Sequence, residues 1–362
     1  MNNKLAKTLL GIAATAALVL PAAGANATAI TGSGSSFAYN GVYKCQSLQS
    51  DHAITYTSTG SGTGRTNFRL NGYSFAVSDG LYTAGTEPTG GYNMVPLFGG
   101  PVVFAYNKSS GLPTGLKLDA AAVSGILKGT ITKWNAAEIK KLNAGKTLPN
   151  LAIKVFYRSG TSGTNENLSE YLRQNVSATG WAKNQDIKLA DTTGDLAATA
   201  VSKATSAMLA DAVESSANKG AFGYFDLSDA KTANVNLVSL KNKHGEFVAP
   251  TAAAGALYLN SQDIDSSASD RLQGTATATI GGVTTNGVIN FTKSVKNAYQ
   301  LTILTYGIGK NNSSAAEDAA VEDFFKFVIN TCMPAQASRL GYVALTGTLK
   351  TKALAQAARI SQ

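Results

Sequence analysis

The sequence predicts an α/β protein, and three observations carry that prediction. Short runs rich in Val, Ile, Phe and Tyr recur along the chain, helical patterns stand between them, and Gly/Ser/Thr-rich turns mark most junctions. At 362 residues the chain exceeds what one hydrophobic core usually holds, so two globular halves are expected.

The elements follow in order. Lys4 and Lys7 precede an apolar run over 9–20, then Pro21 and the small residues Ala25-Asn26-Ala27. This layout predicts a secretory signal peptide over 1–27, cut after Ala27. The run falls short of the ~20 residues a membrane span needs. With no cysteine near the cleavage region to carry a lipid, the mature chain is expected to be soluble, in a periplasm or outside the cell.

A helix is expected over 41–48, a strand over 54–58 leading into the glycine run 60–64, and a strand over 73–77 ending at Ser78-Asp79-Gly80. The apolar runs 95–98 and 102–106 read as buried strands. A helix follows over 119–127, then a strand over 153–157 entering Arg158-Ser159-Gly160-Thr161-Ser162-Gly163-Thr164. The next helix, 165–174, carries Leu168, Tyr171 and Leu172 on one face. An alanine-rich helix is expected over 196–218 and a strand over 222–225, while 261–287 reads as loops with short strands. Ser314 and Glu317 form a capping box ahead of a helix whose stripe of Val321, Phe324, Phe325, Val328 and Ile329 reads as core.

Charge and cysteines narrow the function classes. The chain has 31 basic and 22 acidic side chains; losing Lys4 and Lys7 with the leader leaves 29 basic, a net charge of +7. That favours an anionic partner, yet no dense Lys/Arg run points to nucleic acid. The even pair Cys45 and Cys332 in an exported chain favours a disulfide over two buried thiols, and a bridge would put both ends of the mature chain in one domain.

Three segments place small hydroxyl residues and glycines where strands end and helices begin: Gly34-Ser35-Ser36-Phe37, the run 60–64, and Ser162-Gly163-Thr164. Such segments present N–H and O–H donors, and helix N-termini favour anions, although Gly/Ser runs are more often plain turns. The run 60–64 spells G-x-G-x-G rather than a dinucleotide fingerprint, and 160–164 lacks the lysine of a P-loop. Gly160 to Gly163 is one residue short of a nucleophile elbow, and His52 and His244 sit in polar surroundings that suit surface imidazoles. Two histidines and two distant cysteines make a poor zinc set. Arg158 ends an apolar strand beside the Ser/Thr/Gly loop, where a guanidinium fork can hold two oxygens of an oxyanion. Asp79 reads either as a turn residue or as a carboxylate in an anion site, which makes sense only if the anion carries a proton.

Residues along most of the mature chain resemble the phosphate-binding protein of the bacterial phosphate-specific ABC transporter. Gly32-Ser33-Gly34-Ser35-Ser36-Phe37 resembles the family's G-A-G-A-[ST]-F, 56–64 its Y-x-x-x-G-S-G-x-G, and Phe75-Ala76-Val77-Ser78-Asp79 its F-G-A-S-D. Leu127 through Asn135 resembles G-K-I-x-K-W-[ND], and 142–172 resembles L-N-P-G-x-x-L-P with the following strand, R-x-x-x-S-G-T and helix. Gly220-Ala221-Phe222-Gly223-Tyr224 resembles G-A-I-G-Y, and 340–345 resembles L-G-Y-A-P-L.

The resemblance implies a two-lobed periplasmic-binding-protein fold with the ligand in a cleft between α/β lobes that close by a hinge motion. Lobe I would comprise 28–98 plus 298–362 and lobe II 99–297. It implies a phosphate site of Ser36, Phe37, Ser61, Asp79, Arg158, Ser162, Gly163 and Thr164. Asp79 would accept the hydrogen of the anion, so that sulfate, which brings none, is repelled. The protein would be a non-enzymatic monomer without cofactor, delivering inorganic phosphate to a membrane permease. Two other functions stay open, a secreted phosphate-ester hydrolase and an extracellular scaffold that kept the fold. The chain departs from the family at Gly160, where relatives carry an Asp, at 207–212, where their G-N-x-G is not recognisable, and over 261–287.

Overall fold

The computed structural model describes residues 27–83, 85–176, 180–194, 196–262 and 289–362, with the backbone of short strands inside 264–288. The expected leader, apart from Ala27, lies outside the described residues. So do 263, 266–272, 275, 281 and 282 within the segment 261–287, where the backbone of Ala276–Ile280 and Val283–Val288 pairs antiparallel.

One ten-stranded sheet organises the chain. Its first half is built from β1 (Ala29–Gly34), α1 (Tyr39–Gln46), β2 (Ala53–Ser58), α2 (Ser61–Arg69) and β3 (Phe75–Ser78). β1 lies between β2 and β3 and is parallel to both, with Gly32 beside Tyr56 on one side and Phe75 on the other. The long β4 (Tyr92–Asn107) follows, then α3 (Ala120–Lys128), β5 (Lys154–Arg158), α4 (Gly163–Asn175), β6 (Val201–Lys203), α5 (Ser206–Glu214), β7 (Ala221–Asp226), β8 (Val235–Leu237) and α6 (Ala252–Asn260). The chain closes with β9 (Thr302–Lys310), α7 (Ala315–Phe327), α8 (Met333–Leu340) and β10 (Val343–Ala344), ahead of a terminal helix.

The strand order is β2-β1-β3-β9-β4-β7-β5-β6, with β8 and β10 also paired to β4. β4 joins two regions by changing partners along its length. Residues 92–101 pair with β9, and from Val102 onward the partners are β7 and then β8. The sequence read two runs here, but they form one strand of 16 residues, all buried. Pro101 is tolerated inside it because the chain turns over to new partners at that point.

One further element differs from the sequence reading. Expected as one helix, 196–218 instead contains β6, which pairs parallel with β5, and Thr205 caps a shorter α5 by accepting from Met208 N. Alanine content favoured helix throughout, but tertiary pairing of Val201-Ser202-Lys203 overrides propensity. The glycine run, read as a junction where a strand ends and a helix begins, is one: α2 begins at Ser61 and includes Gly62 and Gly64. Gly64 is required there, because a Cβ would meet Gly34 Cα at 2.4 Å where α2 crosses β1.

The core of the first half centres on Phe75, whose ring meets Tyr56, Phe324 and Phe325. The predicted stripe Val321, Phe324, Phe325, Val328 and Ile329 is buried, and Glu317 N donates to Ser314 Oγ at the helix start. Cys45 and Cys332 form the expected disulfide, tying α1 to the segment between α7 and α8 across 287 residues of sequence. Closing so long a loop contributes up to about 5 kcal/mol.

Candidate functional site

β1, β2 and β3 run opposite to β5, β6 and β7 in the sheet, and the carboxyl ends of the two sets meet where Ser36 Oγ accepts from Ser206 N and Gly62 N donates to Thr161 O. The C-terminal residues of β1, β2, β3, β5 and β6 are Gly34, Ser58, Ser78, Arg158 and Lys203, and each is followed within a few residues by a sequence-predicted polar group or a helix start. Ligands of α/β proteins bind beyond the carboxyl ends of such strands. The helices leaving these strands, α1, α2, α4 and α5, bring four N-termini with their positive dipole ends to this meeting point.

Asp79, one residue past β3, is 4% exposed. Its carboxylate accepts three hydroxyl donors: Ser35 at 2.5 Å and Ser61 at 3.1 Å on Oδ2, and Thr305 at 2.7 Å on Oδ1. Ser35 Oγ in turn accepts from Ala38 N at 3.0 Å, and Ser61 Oγ from Asp79 N at 3.2 Å, which aims both hydrogens at the carboxylate. Burial pushes the Asp79 carboxyl up to about 6, against the pull of the hydroxyls and of the nearby Arg65 charge.

Arg158, the last residue of β5, is 2% exposed. Its Nη1 donates to Lys203 O at 3.0 Å, while Nε has no partner among the described residues. Its backbone is fixed from behind. Arg158 N donates to Tyr224 Oη at 3.3 Å, Tyr224 donates to Asn165 Oδ1 at 2.7 Å, and Asn165 Nδ2 returns to Arg158 O at 2.9 Å. Burial lowers the guanidinium from its ordinary value, with the fields of Tyr224 and Asp79 opposing. A Cβ added at Gly60 would stand 3.8 Å from Arg158 Nη2, while the next residue, Ser61, holds Asp79. Cation and carboxylate therefore flank the Gly60–Ser61 step.

The third wall is the start of α4. Ser162 caps it, its Oγ accepting from Asn165 N at 3.4 Å. Gly163 presses against the Asp79 side, where a Cβ would lie 2.5 Å from Ser61 Oγ and 2.8 Å from Asp79 Cβ, so only glycine fits. Thr164 is buried beside it. Across the site, Ser36 Oγ accepts from Ser206 N at 3.4 Å at the start of α5, and Phe37 is buried with its carbonyl accepting from Tyr342 Oη at 2.7 Å.

All eight predicted residues thus lie where the carboxyl ends of the two oppositely running strand sets meet, at strand ends and helix starts. Sequence reasoning missed Ser35, Thr305 and Ser206. Ser35 was visible as a neighbour of Ser36, but nothing local told their directions apart. Ser206 was hidden inside the expected long helix, although Thr205 before a helical run was a capping signal. Thr305 gave no signal, since its role depends on a residue 226 positions away. His52 is half-buried against Asp323 and His244 lies by Ser294, and neither hydrogen-bonds to a predicted site residue.

A second ionic cluster borders the first. Arg65 Nη2 of α2 meets Glu166 Oε2 of α4 at 3.3 Å, and Lys183 Nζ meets Glu166 Oε1 at 3.1 Å. Burial pushes the Glu166 carboxyl up, but Lys183 and Arg65 more than reverse this and hold it below the usual carboxylate range. Gly62 N to Thr161 O at 3.0 Å and Asn167 Nδ2 to Asp79 O at 2.6 Å add to the bonds between α2, β3 and α4.

Fold and site together define a two-lobed α/β binding protein with a polar, donor-rich cluster where the strand ends of the two halves meet. The chain belongs to the PBP superfamily, whose domain model matches residues 21–330. A phosphate-binding protein PstS of Xylella fastidiosa (strain Temecula1) is 28% identical over 334 aligned residues, covering 88% of this chain and 82% of that one. Among solved structures, a high affinity periplasmic phosphate-binding protein (PfluDING) bound with phosphate matches at TM-score 0.72 and 22% identity, over 91% of this chain and 93% of that one. A phosphate binding protein from Stenotrophomonas maltophilia matches at TM-score 0.64 and 20% identity, over 91% and 94%.

Proposed function

We propose that this chain is a secreted solute-binding protein that captures inorganic phosphate between its lobes and delivers it to the permease of an ABC transporter. The observation that carries this reading is the placing of Asp79 and Arg158 on either side of the Gly60–Ser61 step, beside the starts of α2 and α4. Ser36 Oγ, Phe37 N, Ser61 Oγ, Ser162 Oγ, and the N–H and O–H groups of Gly163 and Thr164 would surround the oxygens of one tetrahedral anion. Arg158 would supply its fork. Asp79, ionised above about pH 6, would take the hydrogen of hydrogen phosphate. Sulfate has no hydrogen to give and would set two negative groups face to face.

In this reading lobe I is 28–98 plus 298–362 and lobe II is 99–297, with the change of partner along β4 as the supporting observation. The leader over 1–27 sends the chain to the periplasm or beyond, where it works as a monomer. It is a binding protein and not an enzyme. A hydrolase would need a base on Ser162, whose hydroxyl accepts an N–H from Asn165 at the helix cap.

Titration calorimetry on the chain from residue 28 tests the proposal. One phosphate is expected per chain, with arsenate competing and sulfate failing to compete. Absence of phosphate binding, or phosphomonoester turnover lost in Ser162→Ala, would overturn it.

A further inference from the structure

Thr305 reaches the site through strand register. β9 runs antiparallel to β3 with Tyr306 opposite Ser78, so the next position places Thr305 opposite Asp79, just past the last ladder pair. On its other edge β9 meets β4 with a register shift between Thr305 and Tyr306, whose partners are Phe98 and Pro96. Irregularities of this kind re-aim side chains beside sites. Here the result is a fully buried hydroxyl donating to Asp79 Oδ1.

A carboxylate offers about four acceptor positions. At Asp79 both positions on Oδ2 are filled, by Ser35 and Ser61, and one on Oδ1 is filled by Thr305. A single position on Oδ1 remains open among the described residues. Because the Ser35 and Ser61 oxygens already accept backbone N–H groups, their hydrogens stay turned towards the carboxylate.

We propose that Thr305 is a positioning residue that holds Asp79 as an ionised acceptor with one place left on Oδ1, so that the site admits a tetrahedral anion bringing a hydrogen and refuses one that brings none. The inference rests on the phosphate reading and deepens it. The charged and titratable groups facing Asp79 are Arg65 of α2, Arg158 of β5, Tyr56 of β2 and Tyr342 before β10. Glu166, Glu170 and Lys183 line the small cavity beside it. None of these donates a hydrogen bond to the carboxylate among the described residues, so the three hydroxyls decide how readily it takes its own proton.

The test is sulfate binding by calorimetry from pH 8 to pH 5 on the chain from residue 28, in the wild type, Thr305→Val and Thr305→Ser. In the wild type sulfate is refused at pH 8 and enters as Asp79 protonates, near pH 6. Thr305→Val removes one of the hydroxyls that favour the ionised form and moves this onset up by about one pH unit, while Thr305→Ser restores it. Thr305→Ala reports the same shift should valine not be accommodated. An onset in the valine and alanine variants that coincides with wild type, or one that serine fails to restore, would overturn the inference. A parallel phosphate titration of the wild type at pH 8 separates the two readings. No phosphate heat sinks the binding function itself, whereas phosphate binding with coincident sulfate onsets sinks only the role of Thr305.

Discussion

Asp79 and Glu166 are buried carboxylates on neighbouring walls of one crevice, and their surroundings drive them in opposite directions. Glu166 has cations on both oxygens, Arg65 at 3.3 Å and Lys183 at 3.1 Å, and is held ionised below the usual range. Asp79 has only hydroxyls and is pushed up to about 6 by burial. A buried charge whose partners are cations is neutralised within the protein and belongs to the architecture that joins α2 to α4. A buried charge held only by neutral donors is stabilised in part, and keeps both an acceptor position and a titration for use by a ligand.

Substitution separates the two roles. Glu166→Gln leaves Arg65 buried without its counter-charge and is expected to destabilise the chain by about 3–5 kcal/mol. Denaturant unfolding checks this, and sulfate should remain excluded. Asp79→Asn removes a charge that burial opposes and is expected to stabilise the ligand-free protein at pH 8 by up to about 3 kcal/mol. A loss of stability comparable to that of Glu166→Gln would erase the distinction between the two carboxylates.

The pH dependence sharpens the same contrast. The folded Asp79 value lies above its unfolded one, 3.8 against about 6, so its ionisation cost is present in full above pH 6 and relieved as pH falls towards 4. The stability gap between Asp79→Asn and wild type should therefore shrink over that window. Glu166 has a lowered folded value, so its contribution is present above its ordinary value of 4.5 and is lost as pH falls through the folded one. Unfolding measured from pH 8 to pH 4 for Asp79→Asn, and carried well below pH 4 for Glu166→Gln, checks both signs. The smallest expected effect is Ser206→Ala, which keeps the N–H bonded to Ser36 Oγ and loses only a hydroxyl 3.5 Å from it. Phosphate affinity should fall by no more than about tenfold in calorimetry.

The sequence showed the parts of this site that are local. Strand ends followed by Gly, Ser and Thr were visible in 34–37, 60–64 and 158–164, and they became the strand-to-helix junctions that carry the site. The alternation of strand and helix gave the α/β class, and the even cysteine pair gave the bridge. What depended on distant partners was hidden. That Gly62 and Gly64 must be glycine was not legible, because the reason, close approach to Thr161 and Gly34, lies in other elements. β6 was lost in an alanine-rich stretch because only its pairing with β5 makes it a strand. Thr305 sat unremarked in an apolar strand, its partner fixed by register alone.

The most direct test of the account is a titration of sulfate and phosphate at pH 8 into wild type and Asp79→Asn. The account predicts that wild type binds phosphate and gives no heat with sulfate, while the asparagine variant binds sulfate and loses much of its preference for phosphate. Sulfate bound by the wild type, or refused equally by both proteins, would contradict it.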